Sequence, residues 1–276
     1  MNNNRNNVVV YGGFDNILSQ DVRFLQEASQ CGLLNVFLWN NEYIHAVTGR
    51  EPKFPENERL YFLESIRFVH KVFMVGKSSG DTNFSFIKDI HPSVWCVREG
   101  DETSDVRNFC EKEKIQLRVL KQFDIEGFPN ICETEPNGNS AKKVLVTGCF
   151  DWFHSGHVRF FEEVSEMGDL YVVVGNDANV RALKGENHPM FSQEERRYIA
   201  ESIRYVKQAL ISTGRGWLDA EPEIRRIKPD IYAVNEDGDR PEKQKYCQDN
   251  NIKYVVLKRL PKDGLPTRQS TVMRGF

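Results

Sequence analysis

Short apolar runs alternate with stretches of helical periodicity along most of the chain. Val144, Leu145 and Val146 follow two lysines and precede Gly148. So brief a run, apolar at every position, predicts a strand buried on both faces of a parallel sheet. Past Gly156, the residues Val158, Phe160, Phe161 and Val164 recur at helical spacing. Leu170–Val174, Ile231–Val234 and Tyr254–Leu257 predict further strands. Helices are predicted over Ser192–Val206, opened by a Ser192 and Glu195 capping box, and over about Pro241–Asp249. Strand and helix in alternation imply a doubly wound parallel sheet.

The pattern occurs twice. Val8-Val9-Val10-Tyr11-Gly12-Gly13-Phe14-Asp15 repeats Val144–Asp151 at an offset of 136 residues, and Arg23-Phe24 answers Arg159-Phe160. Glu64-Ser65-Ile66-Arg67 then answers Glu201-Ser202-Ile203-Arg204 at an offset of 137, which Ile90, Pro92, Val97 and Cys110 keep against Ile227, Pro229, Val234 and Cys247. A register held over so long a span with one inserted residue marks a tandem duplication. The expected architecture is two tandem Rossmann-like domains, residues 1–132 and 142–276. The polar stretch Glu133–Ser140, with its proline and glycine, makes residues 133–141 a linker.

A length of 276 residues suits two domains that each bury a core. Apolar residues at 39% and charged residues at 28% describe a folded, soluble chain. The net charge of −3 supplies no global field for nucleic acid, so any phosphate site must be local. No apolar run nears the roughly 18 residues of a membrane span, and the asparagine-rich start has no apolar core of a secretory signal. The six cysteines form no Cys-x-x-Cys pair, which argues against a zinc site or a disulfide framework and for a reducing, cytoplasmic setting.

The chemistry concentrates in Val144–His157. A strand, a glycine-marked turn and a helix start place backbone N–H groups where an anion can sit. His154 and His157, three apart, share one face of the first helical turn. The string Gly148-x-Phe150-Asp151-x-x-His154-x-Gly156-His157 resembles the signature of the cytidylyltransferase-like nucleotidyltransferases. That family holds glycerol-3-phosphate, phosphocholine and phosphoethanolamine cytidylyltransferases and some adenylyltransferases. The tandem layout is similar to phosphoethanolamine cytidylyltransferase, except that here the first copy has Leu18-Ser19-Gln20-Asp21 in place of the two histidines. Ile131 and Glu133 stand where the second copy has Arg268 and Ser270. The first copy is therefore expected to be degenerate and non-catalytic.

The resemblance implies a catalytic set and a binding set. His154, His157, Lys184 and Arg268 would act on the phosphates. Gly148, Cys149, Phe150, Asp151, Gly156, Asn235, Glu236, Asp237, Ser270 and Thr271 would bind the nucleotide, with Cys149 a small filler rather than a nucleophile. Pro266–Thr271 matches the second family signature, an arginine with a Ser-Thr pair opening the last helix, although the arginine stands closer to the pair than in the Arg-Thr-x-Gly-x-Ser-Thr form. Asp177 either binds substrate or holds a loop. Arg196 and Arg204 match family arginines, yet both have counterparts, Arg59 and Arg67, in the first copy, so part of their work is structural. No metal ligand is assigned; Mg²⁺ would come with the triphosphate.

The resemblance thus implies a nucleotidyltransferase. It would use CTP to activate a small phospho-alcohol or phosphonate, release pyrophosphate, and, as family members often do, form a homodimer. The tryptophan of a Gly-Asp-Asp-Trp-like stretch is absent after Asn235, so an ATP-using, FAD-synthase-like adenylyltransferase is the alternative. From another class comes a non-catalytic nucleotide-binding regulator. A dehydrogenase is disfavoured, since no Gly-x-Gly-x-x-Gly succeeds either first strand.

Overall fold

The computed structural model describes residues 6–76, 84–131, 142–270 and 273. The chain divides into two compact units, Met1–Gly127 and Phe128–Phe276.

In the first unit, β1 (Asn7–Gly12), α1 (Ser19–Ser29), β2 (Leu33–Trp39), α2 (Asn41–Thr48), α3 (Glu56–Ser65), β3 (Val69–Val75), β4 (Val94–Arg98), α4 (Ser104–Glu113) and β5 (Gln116–Leu120) come in that order. The strands are parallel, in the order β3-β2-β1-β4-β5. Val8, Val9 and Val10 are fully buried at its centre.

The second unit repeats the plan with β6 (Lys143–Gly148), α5 (Ser155–Ser165), β7 (Asp169–Val174), α6 (Asp177–Lys184), α7 (Gln193–Ser202), β8 (Val206–Ile211), α8 (Glu221–Ile227), β9 (Ile231–Asn235), α9 (Pro241–Asp249) and β10 (Lys253–Leu257). Its parallel sheet runs β10-β9-β6-β7-β8, the same order read from the other edge. Leu145, Tyr171, Val173, Tyr232 and Val234 form one face of the core with Ile224, Ile227 and Cys247 of α8 and α9. Both sheets reverse direction beside their first strand, where β1 meets β4 and β6 meets β9. That is the switch point at which open α/β sheets hold ligands.

One predicted boundary is corrected. The helix begins after Ser192, whose hydroxyl accepts from the Glu195 N–H, but it stops at Ser202. Ile203 turns extended and Val206 starts β8 beside Leu170. Ile199, Ile203 and Val206 keep a helical spacing, yet each is buried because the chain turns directly into an edge strand. Predicted linker residues 133–141 lie outside the described ones. Phe128–Ile131, assigned by sequence to the first copy, bond to α7: Arg197 donates to the Phe128 and Pro129 carbonyls, and the Ile131 N–H donates to Glu201.

The turn after the first strand is built alike in both units. Phe14 and Phe150 hold left-handed backbone, φ 45° and 51°, a conformation that costs a bulky residue about 1–3 kcal/mol. Buried Arg196 anchors the residue before Phe150, donating to the Cys149 carbonyl at 2.6 Å. It also donates to the Gly175 and Phe191 carbonyls and to the Asp177 carboxylate. Asp151, the residue after Phe150, accepts from the Met190 and Phe191 N–H groups. Arg59 reproduces this with the carbonyls of Gly13, Trp39 and Phe54 and with Asn41, while Asp15 accepts from Lys53 and Phe54.

Arg196→Met or Arg59→Met should each lower stability by at least about 3 kcal/mol, since several buried carbonyls lose their donor at about 1–3 kcal/mol apiece. Urea unfolding monitored by circular dichroism would measure this; a loss below about 1 kcal/mol in both would contradict the bracing role.

Candidate active site

The second unit's turn feeds straight into α5. His154 is its N-cap, and its ring Nδ1 accepts from the Gly156 N–H at 3.1 Å. With Nδ1 accepting, the proton of a neutral ring sits on Nε2. That Nε2 is buried and has no hydrogen-bond partner among the described residues, and neither does the His157 Nδ1. The two imidazoles stack, centroids 4.0 Å apart and planes 20° apart, with Phe150 edge-on to His157 at 5.4 Å. A Cβ on Gly156 would come within 3.0 Å of the His154 ring, so this glycine lets the imidazole fold over the helix start.

Both rings are held neutral. Burial pushes His154 down to about 3, aided by the positive charges of Arg259 and Arg268. Burial also holds His157 well below its ordinary range, with His154, Arg259 and Lys184 acting in the same direction. An anion placed here would relieve that positive field, and two desolvated ring nitrogens await a partner.

Beside the rings opens a cleft of about 420 Å³. Ten of the sequence-predicted residues line it: Gly148, Cys149, Phe150, Asp151, Gly156, His157, Lys184, Asn235, Asp237 and Ser270. The Ser270 hydroxyl donates to the Trp152 carbonyl at 3.2 Å. His154, stacked on His157 next to the cleft, is only 2% exposed and is not itself among the lining residues.

The other predicted residues fall elsewhere. Arg196 and Asp177 form an ion pair at 2.6 Å inside the turn brace, so their work is to position the loop. Arg204 is exposed, and neither it nor Glu236 lines the cleft. Arg268 is half-buried and is not among the lining residues, and Thr271 lies outside the described residues. A helix opening at Ser270 would run through residues outside the described ones; just before it the chain passes the start of α5, where the Arg268 carbonyl would lie 3.9 Å from a Cβ on Gly156.

Arg259, Lys243, Asn179, Trp217 and Asp219 also line the cleft and were not anticipated. Arg259 donates to Asp237 at 2.6 Å and to the Arg268 carbonyl at 3.1 Å, tying the end of the chain to the loop after β9. Its place just past the carboxyl end of β10 was a usable signal, because ligands gather at such ends. Lys243 lies in the predicted helix Pro241–Asp249, which gave no hint of which face meets the cleft, and Asn179 lies in α6, a helix not predicted from the sequence.

A cleft at the switch point, with stacked imidazoles over a helix N-terminus, defines a Rossmann-like α/β domain with a candidate anion site. Residues 145–259 match the cytidylyltransferase-like family. The chain is 34% identical over 125 residues to the FAD synthase of Aciduliprofundum boonei, covering 44% of this chain and 80% of that protein. It is 39% identical over 97 residues to the FAD synthase of Ferroglobus placidus, covering 35% and 60%. It is 30% identical over 138 residues to the bifunctional protein HldE of Campylobacter curvus, covering 49% and 29%. The chain belongs to the cytidylyltransferase-like family of nucleotidyltransferases. It spans 60% of the Ferroglobus protein and 29% of the Campylobacter one.

An unfolded histidine protonates near 6.5, whereas these folded rings resist protonation. Below pH 6.5 the unfolded chain therefore binds more protons, and stability falls as pH drops toward 3. The loss should reach about 1 kcal/mol per pH unit for each ring. Urea titrations from pH 6.5 to 4.5 should show a shallower slope for His154→Gln; an identical slope would contradict the sealed imidazole.

Proposed function

We propose that the second unit transfers a nucleoside monophosphate from a triphosphate to a small phosphorylated or phosphonate acceptor, releasing pyrophosphate. The observation that carries this reading is the pair of stacked, desolvated imidazoles over the start of α5. An acceptor oxyanion attacks the α-phosphorus; the bond to the bridging oxygen of the β-phosphate breaks, and pyrophosphate leaves with its electron pair. The His154 Nε2–H, and the His157 Nδ1 in the tautomer that carries its proton there, stabilise charge building on the phosphate oxygens. Preorganised donors in a dry site need no reorganisation at that moment. Lys184 and Arg259, both in the cleft lining, are suited to the β- and γ-phosphates, Arg259 through its fork of donors. Arg268, half-buried, contributes positive charge beside His154 and carries a guanidinium fork suited to phosphate.

The cleft carboxylates are already engaged: Asp151 by backbone N–H groups, Asp219 by the Ser212 hydroxyl and Asp237 by Arg259. The donor set therefore suits Mg²⁺ carried on phosphate oxygens and water rather than in a carboxylate cage. Such a metal would neutralise charge on the departing pyrophosphate. Within this reading CTP is the expected nucleotide. ATP is the second reading, favoured by similarity to proteins named for making FAD, an adenine dinucleotide. The first unit is read as non-catalytic: where the second has His157, Asp21 accepts from the Leu18 N–H and pairs with Arg98 at 2.6 Å. A carboxylate of the chain itself thus occupies the start of α1.

Pyrophosphate release should be assayed with CTP and with ATP against phosphoethanolamine, phosphocholine, glycerol phosphate, small phosphonates and flavin mononucleotide. Release is expected with one triphosphate, and His154→Ala and His157→Ala should fold normally yet turn over about a hundredfold slower or worse. Absence of release with every pair would replace the enzyme with a nucleotide-binding regulator; near-normal turnover in both variants would remove the proposed site.

A further inference from the structure

The first unit keeps a cavity of its own at the switch point, about 740 Å³ against about 420 Å³ in the second. Its walls have changed in one direction. In the duplicated register, Thr147, Gly175 and Asn179 of the second cleft become Tyr11, Trp39 and Tyr43 in the first. The backbone equivalence is close: Asn40 caps α2 through the Tyr43 N–H just as Asn176 caps α6 through the Asn179 N–H. The three rings meet at steep angles, Tyr11 to Trp39 at 5.3 Å and 65°, and Trp39 to Tyr43 at 5.0 Å and 79°. All three are half-buried. These aromatic side chains wall the cavity and do not fill it.

Its charge has changed as well. The cations of the second cleft, Lys184, Lys243 and Arg259, become Thr48, Val106 and Gln122 in the same register. Among the described residues lining the first cavity, the sole cation is Arg98, which is paired with Asp21 and lies over the Phe24 ring at 4.9 Å. Asp101 and Asp105 line it too and are exposed. Aromatic faces backed by carboxylates attract an organic cation and repel a polyphosphate.

We propose that the cavity of the first unit binds a small organic ammonium, such as an alkylated amino alcohol, instead of a nucleotide. The aromatic faces receive the alkylated head, whose charge is spread over its methyl groups and is cheaply desolvated, and the carboxylates at Asp101 and Asp105 supply the attraction. This stands apart from the reading of the second unit and does not require that unit to be active.

Calorimetric titration of the full chain provides the test, with choline, tetramethylammonium and 3,3-dimethylbutan-1-ol as probes; the last has the shape of choline without its charge. Saturable binding of one choline per chain is expected, about tenfold or more tighter than the neutral alcohol. Tyr43→Asn, which installs the residue of the second unit, should weaken choline at least about tenfold, and Asp105→Asn should weaken it severalfold without touching the fold. His157→Ala should leave choline binding unchanged. No saturable binding, equal affinity for the uncharged alcohol, or affinity lost in His157→Ala while both Tyr43→Asn and Asp105→Asn keep it, would each overturn the proposal.

Discussion

Each half of this molecule depends on a buried guanidinium that closes a strained turn. Phe14 and Phe150 occupy left-handed backbone unfavourable to a bulky side chain. The flanking residues are pinned, one by arginine on its carbonyl and the other through its own aspartate. A conformation costing about 1–3 kcal/mol persists only when its surroundings over-determine it. Because the brace survives in a half that lacks the histidines, its purpose is to shape the strand-to-helix turn. Any chemistry is added to that shape.

Two clefts of opposite character can therefore stand on one scaffold. Sheet order, helix caps and the arginine brace match between the units. The differences that set the two clefts apart lie in side chains at strand ends and helix starts that line the open space. Cations and imidazoles line one, aromatic rings and carboxylates the other. Fold and site are separable in this way because the core is apolar and regular, whereas the switch point is formed by residues the core does not need.

The histidine pair shows why burial matters to a phosphate site. In water an imidazole N–H loses little by having no protein partner. Here the His154 Nε2 and the His157 Nδ1 are buried and have no hydrogen-bond partner among the described residues. A phosphate bound as proposed would restore that bond in surroundings of low dielectric, where it is stronger. Arginines on the same side add to the attraction while keeping the empty rings neutral.

The duplication, the alternation of strand and helix, and the glycine-turn-histidine string were legible because each depends on local order: periodicity, turn chemistry and a constant offset. The end of α7 was misread because the apolar spacing of Ile199, Ile203 and Val206 suits either a helix or a turn into an edge strand, and pairing with Leu170 settles it. Arg196 and Arg268 were recognisable as arginines of the family pattern, but not as a buried brace and a half-buried residue outside the lining. Arg259 and Lys243 carried no motif at all. Sequence alone determined which stretch forms the strand, turn and helix start that carry the two histidines, since helix starts and spacings are properties of neighbours along the chain. Only the tertiary structure decided which cations share that cleft and that the first copy had been rebuilt with aromatic walls, because those groups come together from strands and helices far apart in the chain.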